Sequence, residues 1–313
     1  MPRIILDTDP GIDDALALFL ALASPEVQLE AITTVHGNVP VEMTTHNALG
    51  LLELAGRSDI PVARGSAQPL VRSPIDAKYV HGPTGLGTLT LPEAQTSVVN
   101  QSAADFIIER VQAAPGEITL VPIGPLTNLA LALRREPAIA AQVREVVIMG
   151  GALHVPGNVT PAAEFNIYAD PHAAQVVLKA GWPIRLVALD VTNVTTMSRE
   201  QTRQLAQQQS PITRCIEQMV EFYFEVFAPA FGSNVLRLHD PLALAAAFRP
   251  DFIEWVPAYV DVELNGTLTF GETVAFFRRS EGGAPLPNVQ AAVGVDAERF
   301  VAWFLERLAS LVE

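Results

Sequence analysis

The chain has 313 residues, 49% of them hydrophobic and 17% charged, with a formal net charge of −14. That composition supports a substantial core, and the acidic balance excludes a nucleic-acid surface, which needs clustered Lys and Arg. No apolar run reaches the ~18 residues of a membrane span. No secretory leader precedes the first strand, and the single cysteine, Cys215, excludes a disulfide framework; both point to a reducing cytoplasm.

In chain order, Arg3–Leu6 reads as a buried strand and Asp14–Ala23 as an apolar helix. Val27–Val35 is a strand, Val41–Ala55 a helix and Pro61–Arg64 a short strand. Gly65–Val98, rich in Pro and Gly, is too long for an idle connection and is a candidate lid, as is Ala228–Leu238. Helix Gln101–Ala113, strand Glu117–Ile123, helix Leu126–Arg135 and strand Arg144–Met149 follow. Beyond them come helix Pro171–Ala180, strand Ile184–Leu189, and helices Ser198–Gln208, Pro211–Ala228 and Pro241–Phe248. The last third carries strands near Trp255–Val262, Thr267–Phe270, Val274–Phe277 and Val289–Val295, then an amphipathic helix over Asp296–Leu311. The alternation predicts an α/β fold: a single domain over 1–313, with a mostly parallel central sheet flanked by helices in a Rossmann-like open arrangement. Loops leaving the strand C-termini of such a sheet share one edge. Asp7–Asp14, His36-Gly37-Asn38, Ile123-Gly124-Pro125 and Met149-Gly150-Gly151 are therefore expected to converge.

The first of these turns holds Asp7, Asp9, Asp13 and Asp14. Asp13 as a helix cap and Asp14 as a complement to the helix dipole would explain only two of the four. A hard divalent cation, with one acid left over for chemistry, explains more. The spacing is not that of an EF-hand loop. An Asp-x-Asp phosphotransferase also begins with a strand and this pair, but normally continues with Gly-Thr or Gly-Val rather than Pro10-Gly11-Ile12. Asn158, Glu164 and Asn166 form a second polar segment suited to sugar hydroxyls, with Glu164 and Asn166 on one face if the segment is extended. A capped surface loop is the plain alternative. His239-Asp240-Pro241 puts an imidazole and an acid at a helix start, where an ordinary cap is the plain alternative. Tyr223, Phe227 and Phe231 recur every four residues and could turn one aromatic face to a pocket, or simply pack the core.

The run Asp-Thr-Asp-Pro-Gly-Ile-Asp-Asp-Ala at 7–15 resembles the signature of the inosine-uridine-preferring nucleoside hydrolase (nucleoside N-ribohydrolase) family. The similarity continues through His36-Gly37-Asn38, His81-Gly82, Gly124-Pro125-Leu126-Thr127-Asn128, Met149-Gly150-Gly151, Glu164-Phe165-Asn166 and His239-Asp240, in family order across nearly the whole chain. The resemblance implies hydrolysis of the N-glycosidic bond of ribonucleosides to ribose and free base, in purine and pyrimidine salvage. It implies one Ca2+ per subunit, held by Asp9, Asp14, Asp240 and the carbonyl of Ile123, with Asp13 as general base for a water at the ion. Asn38, Asn158, Glu164 and Asn166 would hold the ribose, with Asn38 counted among the catalytic groups. Met149 would pack beside the sugar and Asp7 would support the turn. His239 matches a subgroup with a histidine near the departing base, where it could donate a proton or a hydrogen bond, since imidazole titrates near neutrality. His81, Phe165, Tyr223 and Phe227 are candidate base-pocket residues, and the rings favour broad or purine-tolerant specificity. The partners implied are a ribonucleoside and further copies of the chain, as a dimer or tetramer. A calcium-dependent ribonucleoside-binding protein without turnover is the alternative function.

Overall fold

The structure, a computed structural model, describes residues 1–227, 234–277 and 285–311. Strand β1, Arg3–Thr8, is buried from Ile4 onward. Alternate residues face opposite sides, so Ile4 and Leu6 enter one core while Ile5 enters the other. A strand covered on both faces has no polar face to show, which is why it reads as a continuous apolar run. Helix α1, Ile12–Ala23, is buried almost all round because the sheet and further helices enclose it.

Strands β2 (Gln28–Thr34), β3 (Val62–Arg64), β4 (Ile118–Pro122), β5 (Glu145–Met149) and β6 (Ile184–Val187) join β1 in parallel, in the order β3-β2-β1-β4-β5-β6. A separate ribbon pairs β7 (Thr196–Ser198) with β8 (Val235–Arg237). Strand β9 (Ile253–Val262) and strand β10 (Thr273–Phe276) are antiparallel, and β11 (Val289–Val295) links them to β6, which completes a nine-stranded sheet. One core contains Leu16, Leu51, Met219, Leu242 and Phe304; the other contains Phe106, Leu129, Val177 and Trp182. Helices thus cover both faces, as the alternation predicts. Strand order turns at β1, between β2 and β4, and the loops leaving β1 and β4 open a crevice there.

Several local expectations are corrected. Thr267–Phe270 is a turn, not a strand, and Gly271 closes it at φ 83°. An added Cβ at Gly266 would lie 2.1 Å from Thr269 Oγ1, so the chain folds tightly back on itself there. The long 65–98 segment contains one helical turn, α3, at Lys78–His81. After α4 (Ala103–Ala113) and α5 (Thr127–Arg135), the segment expected to be extended at 164–166 instead starts a five-residue helix, α6 (Phe165–Ala169). The helices α7 (Pro171–Leu178), α8 (Leu189–Thr192), α9 (Arg199–Ala206) and α10 (Pro211–Phe222) follow, and α10 runs into a π-helical turn over Tyr223–Phe227. The side chain of Phe227, and Phe231 with most of the 228–238 candidate lid, lie outside the described residues.

Candidate functional site

The turn after β1 is built around Asp14. Its Oδ2 accepts from Gly11 N at 2.9 Å and Asn38 Nδ2 at 2.9 Å, and its Oδ1 accepts from Thr8 Oγ1 at 2.5 Å and Asp9 N at 3.2 Å. The carboxylate that secures the start of α1 is therefore Asp14, and the capping reading of Asp13 is corrected. Asp9 lies beneath. Its Oδ2 accepts from Asn38 N at 2.7 Å, while its buried Oδ1 has no hydrogen-bond partner among the described residues. Two glycines make room for it: a Cβ on Gly37 would sit 2.0 Å from Asp9 Oδ2, and one on Gly124 2.3 Å from Oδ1. Either alanine must displace a buried carboxylate. Gly37→Ala is expected to cost about 1–3 kcal/mol by overpacking. Thermal denaturation reads this, and an unchanged Tm would count against the clamp.

Asp7 faces away from the cavity. Its Oδ1 accepts from Thr33 Oγ1 at 2.5 Å and Asn128 Nδ2 at 2.7 Å, tying β1 to β2 and α5. Burial pushes this carboxyl up to about 7, against the pull of those two donors. His36 is also behind the site, with Nε2 3.0 Å from Thr127 Oγ1, whose hydroxyl donates to Asp170 at 2.8 Å.

The His239–Ala246 helix packs on α1 and brings Asp240 to the turn. Asp13, Asp14 and Asp240 each place a carboxylate oxygen within 4.8 Å of the others. Burial first, then mutual repulsion, raises Asp13, and Asp9 and Asp240 are raised well above the usual carboxylate range for the same reasons. No Lys or Arg among the described residues forms an ion pair with any of the four acids. His81 comes nearest, with Nδ1 4.0 Å from Asp13 Oδ1, but burial holds its imidazole down to about 4, so it is neutral. Oxygen donors crowded together without a counter-charge, plus one orphaned carboxylate oxygen, fit a hard divalent cation.

These groups adjoin a cavity of about 440 Å³. Its walls include Asp13, Asn38, His81, Ile123, Met149, Asn158, Glu164, Phe165, Asn166, Tyr223, His239 and Asp240, so predicted residues from eight separate stretches meet there. Asp9 and Asp14 border it from behind rather than lining it. The Ile123 carbonyl accepts from Asn166 Nδ2 at 2.7 Å. Glu164 caps α6: its oxygens accept from Asn166 N and Ile167 N, and Oε2 also takes Gly151 N at 2.9 Å. That links the Gly150-Gly151 turn to the sugar-type segment. Asn158 Oδ1 accepts from Phe165 N at 2.8 Å, leaving its amide nitrogen for the cavity. Asn38 spends its Nδ2 on Asp14 and on the Asp9 carbonyl, so its part is to fix the acids as much as to meet a ligand.

His81 Nδ1 accepts from Ile12 N at 3.0 Å, which puts its proton on Nε2 and pins the 65–98 loop to the start of α1. His239 Nδ1 is 2.7 Å from Thr192 Oγ1. Burial, then the charge of Arg237, holds His239 down to about 3. The expectation that it titrates near neutrality is corrected: in this cavity it is a neutral imidazole, able to give a hydrogen bond but carrying no acidic proton. Sequence reasoning missed Tyr79, Asn193 and Arg237, which also line the cavity. Tyr79 and Asn193 belong to no pattern; Arg237 had a weak signal, two residues before His239.

Residues 4–302 match the family described as inosine-uridine preferring nucleoside hydrolase. The chain is 40% identical over 314 residues to the inosine-uridine preferring nucleoside hydrolase of Leishmania major, covering 98% of each. It is 38% identical over 313 residues to the probable uridine nucleosidase 2 of Arabidopsis thaliana, covering 98% of this chain and 97% of that one. The solved purine-preferring ribonucleoside hydrolase from Gardnerella vaginalis superposes with a TM-score of 0.93 at 34% identity, covering 99% of each chain. The acids after β1, the crevice where strand order turns, and these whole-length matches agree: the chain belongs to the inosine-uridine preferring nucleoside hydrolase family.

Proposed function

We propose that this enzyme hydrolyses ribonucleosides to ribose and free nucleobase in a calcium-dependent reaction, with Asp13 as general base. The observation that supports it most is the meeting of Asp13, Asp14 and Asp240 beside a cavity walled by amides and imidazoles. Calcium would take oxygens from Asp9, Asp14, Asp240 and the Ile123 carbonyl, and when bound it would neutralise these acids and anchor hydroxyl oxygens.

The reaction breaks the C1′–N bond, whose electron pair leaves with the base. Water adds its oxygen to C1′, one water proton passes to Asp13, and the base regains a proton at nitrogen. The sugar passes through an oxocarbenium-like state, as in glycoside hydrolysis. Asp13 suits the proton transfer because it has none of the four anchoring hydrogen bonds that occupy Asp14, and because burial, then crowding by acids, raises its basicity. Asn158, Glu164 and Asn166 would receive the ribose, with Met149 and Phe165 against its apolar face. Their backbone-bonded side chains are set before substrate arrives. The neutral His239 and His81 would meet the base through N–H groups, alongside Tyr223 and, from the sequence, Phe227.

Release of ribose from uridine and inosine, abolished by a calcium chelator and restored by calcium, tests the reading. Since a vicinal diol gives the ion two oxygens, uridine is expected to exceed 2′-deoxyuridine in kcat/KM by roughly 100-fold. Equal values would overturn the placement of ribose at the metal. Tight nucleoside binding without ribose release would favour a binding protein instead. Cytoplasmic residence and a homo-oligomeric state, dimer or tetramer, complete the proposal. Cys215, buried and pushed up to about 12, fits a thiol with no disulfide role, and sedimentation checks the assembly. Among the described residues no helix is long and apolar enough to cross a membrane.

A further inference from the structure

The cavity contains one feature that the hydrolytic groups do not use. Arg237, at the end of the β8 ribbon strand, brings a guanidinium into a wall otherwise made of acids, amides and neutral rings. Among the described residues it has no carboxylate partner. Its Nε is buried without a hydrogen-bond acceptor, and Tyr223, itself buried, hydrogen-bonds the same side chain. A guanidinium keeps its charge at any working pH and can only donate. Leaving one unpaired in a largely enclosed site is costly unless negative charge arrives there during the reaction.

Resting on the ribonucleoside reading above, we propose that Arg237, together with Tyr223, takes up the negative charge of the departing nucleobase and favours bases that carry that charge on an exocyclic oxygen. When the C1′–N bond breaks, its electron pair spreads over the base. In uracil and the 6-oxopurines much of it reaches a carbonyl oxygen, which can accept from a guanidinium. Cytosine and adenine present an amino group at the corresponding position, and a donor there meets a donor. Arg237 lies beside His239 and Tyr223 and comes from a different stretch of chain than Asp13, which takes the water proton, so charge developing on base and sugar is met by different groups.

The test compares wild type, Arg237→Met and Arg237→Lys on uridine, cytidine and 4-nitrophenyl β-D-ribofuranoside, whose leaving group is stable as an anion without help. Arg237→Met is expected to lower kcat on uridine about 100-fold, as for loss of one charge-stabilising donor. It should lower kcat on the nitrophenyl riboside by less than about threefold, and narrow the uridine-to-cytidine ratio. Arg237→Lys should recover part of the uridine rate. Equal losses on both ribosides would show a structural role and overturn the proposal, as would no loss on either. A Met variant whose Tm falls sharply leaves the Lys variant to decide: a preference for nitrophenyl riboside over uridine that rises above the wild-type value supports the proposal, and a loss common to both substrates, which leaves that preference unchanged, overturns it. If wild type releases ribose from no substrate, the ribonucleoside reading fails and takes this one with it. If wild type turns over and the variants match it, only the assignment of Arg237 fails.

Discussion

Asp13→Ala is expected to lower kcat on uridine and inosine by roughly 10²–10⁴-fold, the usual worth of a positioned general base. Its effect on stability should be small or favourable. Asp13 is a buried acid pressed against Asp14 and Asp240, so deleting it relieves repulsion and leaves the four bonds that hold Asp14 in place. Asp14→Ala makes the opposite case, since it strips four hydrogen bonds from the turn, each charge-assisted bond being worth about 1.5–3 kcal/mol. The pair of variants therefore separates chemistry from architecture: one inactive and stable, the other inactive and unstable. Steady-state kinetics with thermal denaturation measures both. An Asp13→Ala enzyme with near-wild-type kcat would sink the general-base assignment.

Calcium is expected to raise the Tm of chelator-treated protein, and to raise it more at pH 8 than at pH 5. The sign follows from the acids. Asp9, Asp13, Asp14 and Asp240 all titrate above their ordinary value of 3.8 in the folded protein, because of burial and then of one another. Between that value and the raised ones the folded chain binds more protons than the unfolded chain. Metal-free stability therefore falls as pH rises through this window. A cation that replaces those protons contributes most where they have left. At a calcium concentration about 100 times Kd the gain is about 2.7 kcal/mol, roughly 5 °C for a chain of this size. Asp240→Asn should abolish most of it. A Tm indifferent to calcium at pH 8 in the wild type would contradict the cation site.

Much of the fold was legible because its strands are buried on both faces. Ile4-Ile5-Leu6 and Val146-Val147-Ile148 leave little ambiguity, and strands of that kind place the following turns at one edge. The convergence of the 7–14, 36–38, 123–125 and 149–151 turns follows from parallel topology alone. The structure departs from the sequence pattern at short elements held by single side chains. Helix α6 has five residues and exists because Glu164 caps it, something a pattern of Glu-Phe-Asn cannot distinguish from a strand. The Thr196–Ser198 and Val235–Arg237 ribbon offers three residues a side, below any periodic signal. Thr267–Phe270 alternates like a strand, yet the glycines at 266 and 271 impose a turn. In the site, the acids were legible from charge and spacing, since four carboxylates in one turn demand a partner. Environment was not legible: His239 looks like an acid–base group until burial and Arg237 keep it neutral. Arg237 itself is one cation among 20 Lys and Arg residues, and only the folded chain shows it facing the cavity.

The docking of the His239–Ala246 helix onto α1 also bears on how the protein is made. As the chain emerges from its N-terminus, Asp7 to Asp14 are synthesised early, and domains begin to fold from that end. Asp240 arrives more than two hundred residues later. Until it does, β1, α1 and the adjoining parallel strands can assemble while bearing only part of the eventual charge crowding. The repulsion that Asp240 adds is thus postponed until the six parallel strands β1 to β6 have been made. A nascent chain stopped at residue 227 should show sheet and helix signals but no calcium response, so competence for the proposed metal is a property acquired only once Asp240 has been added.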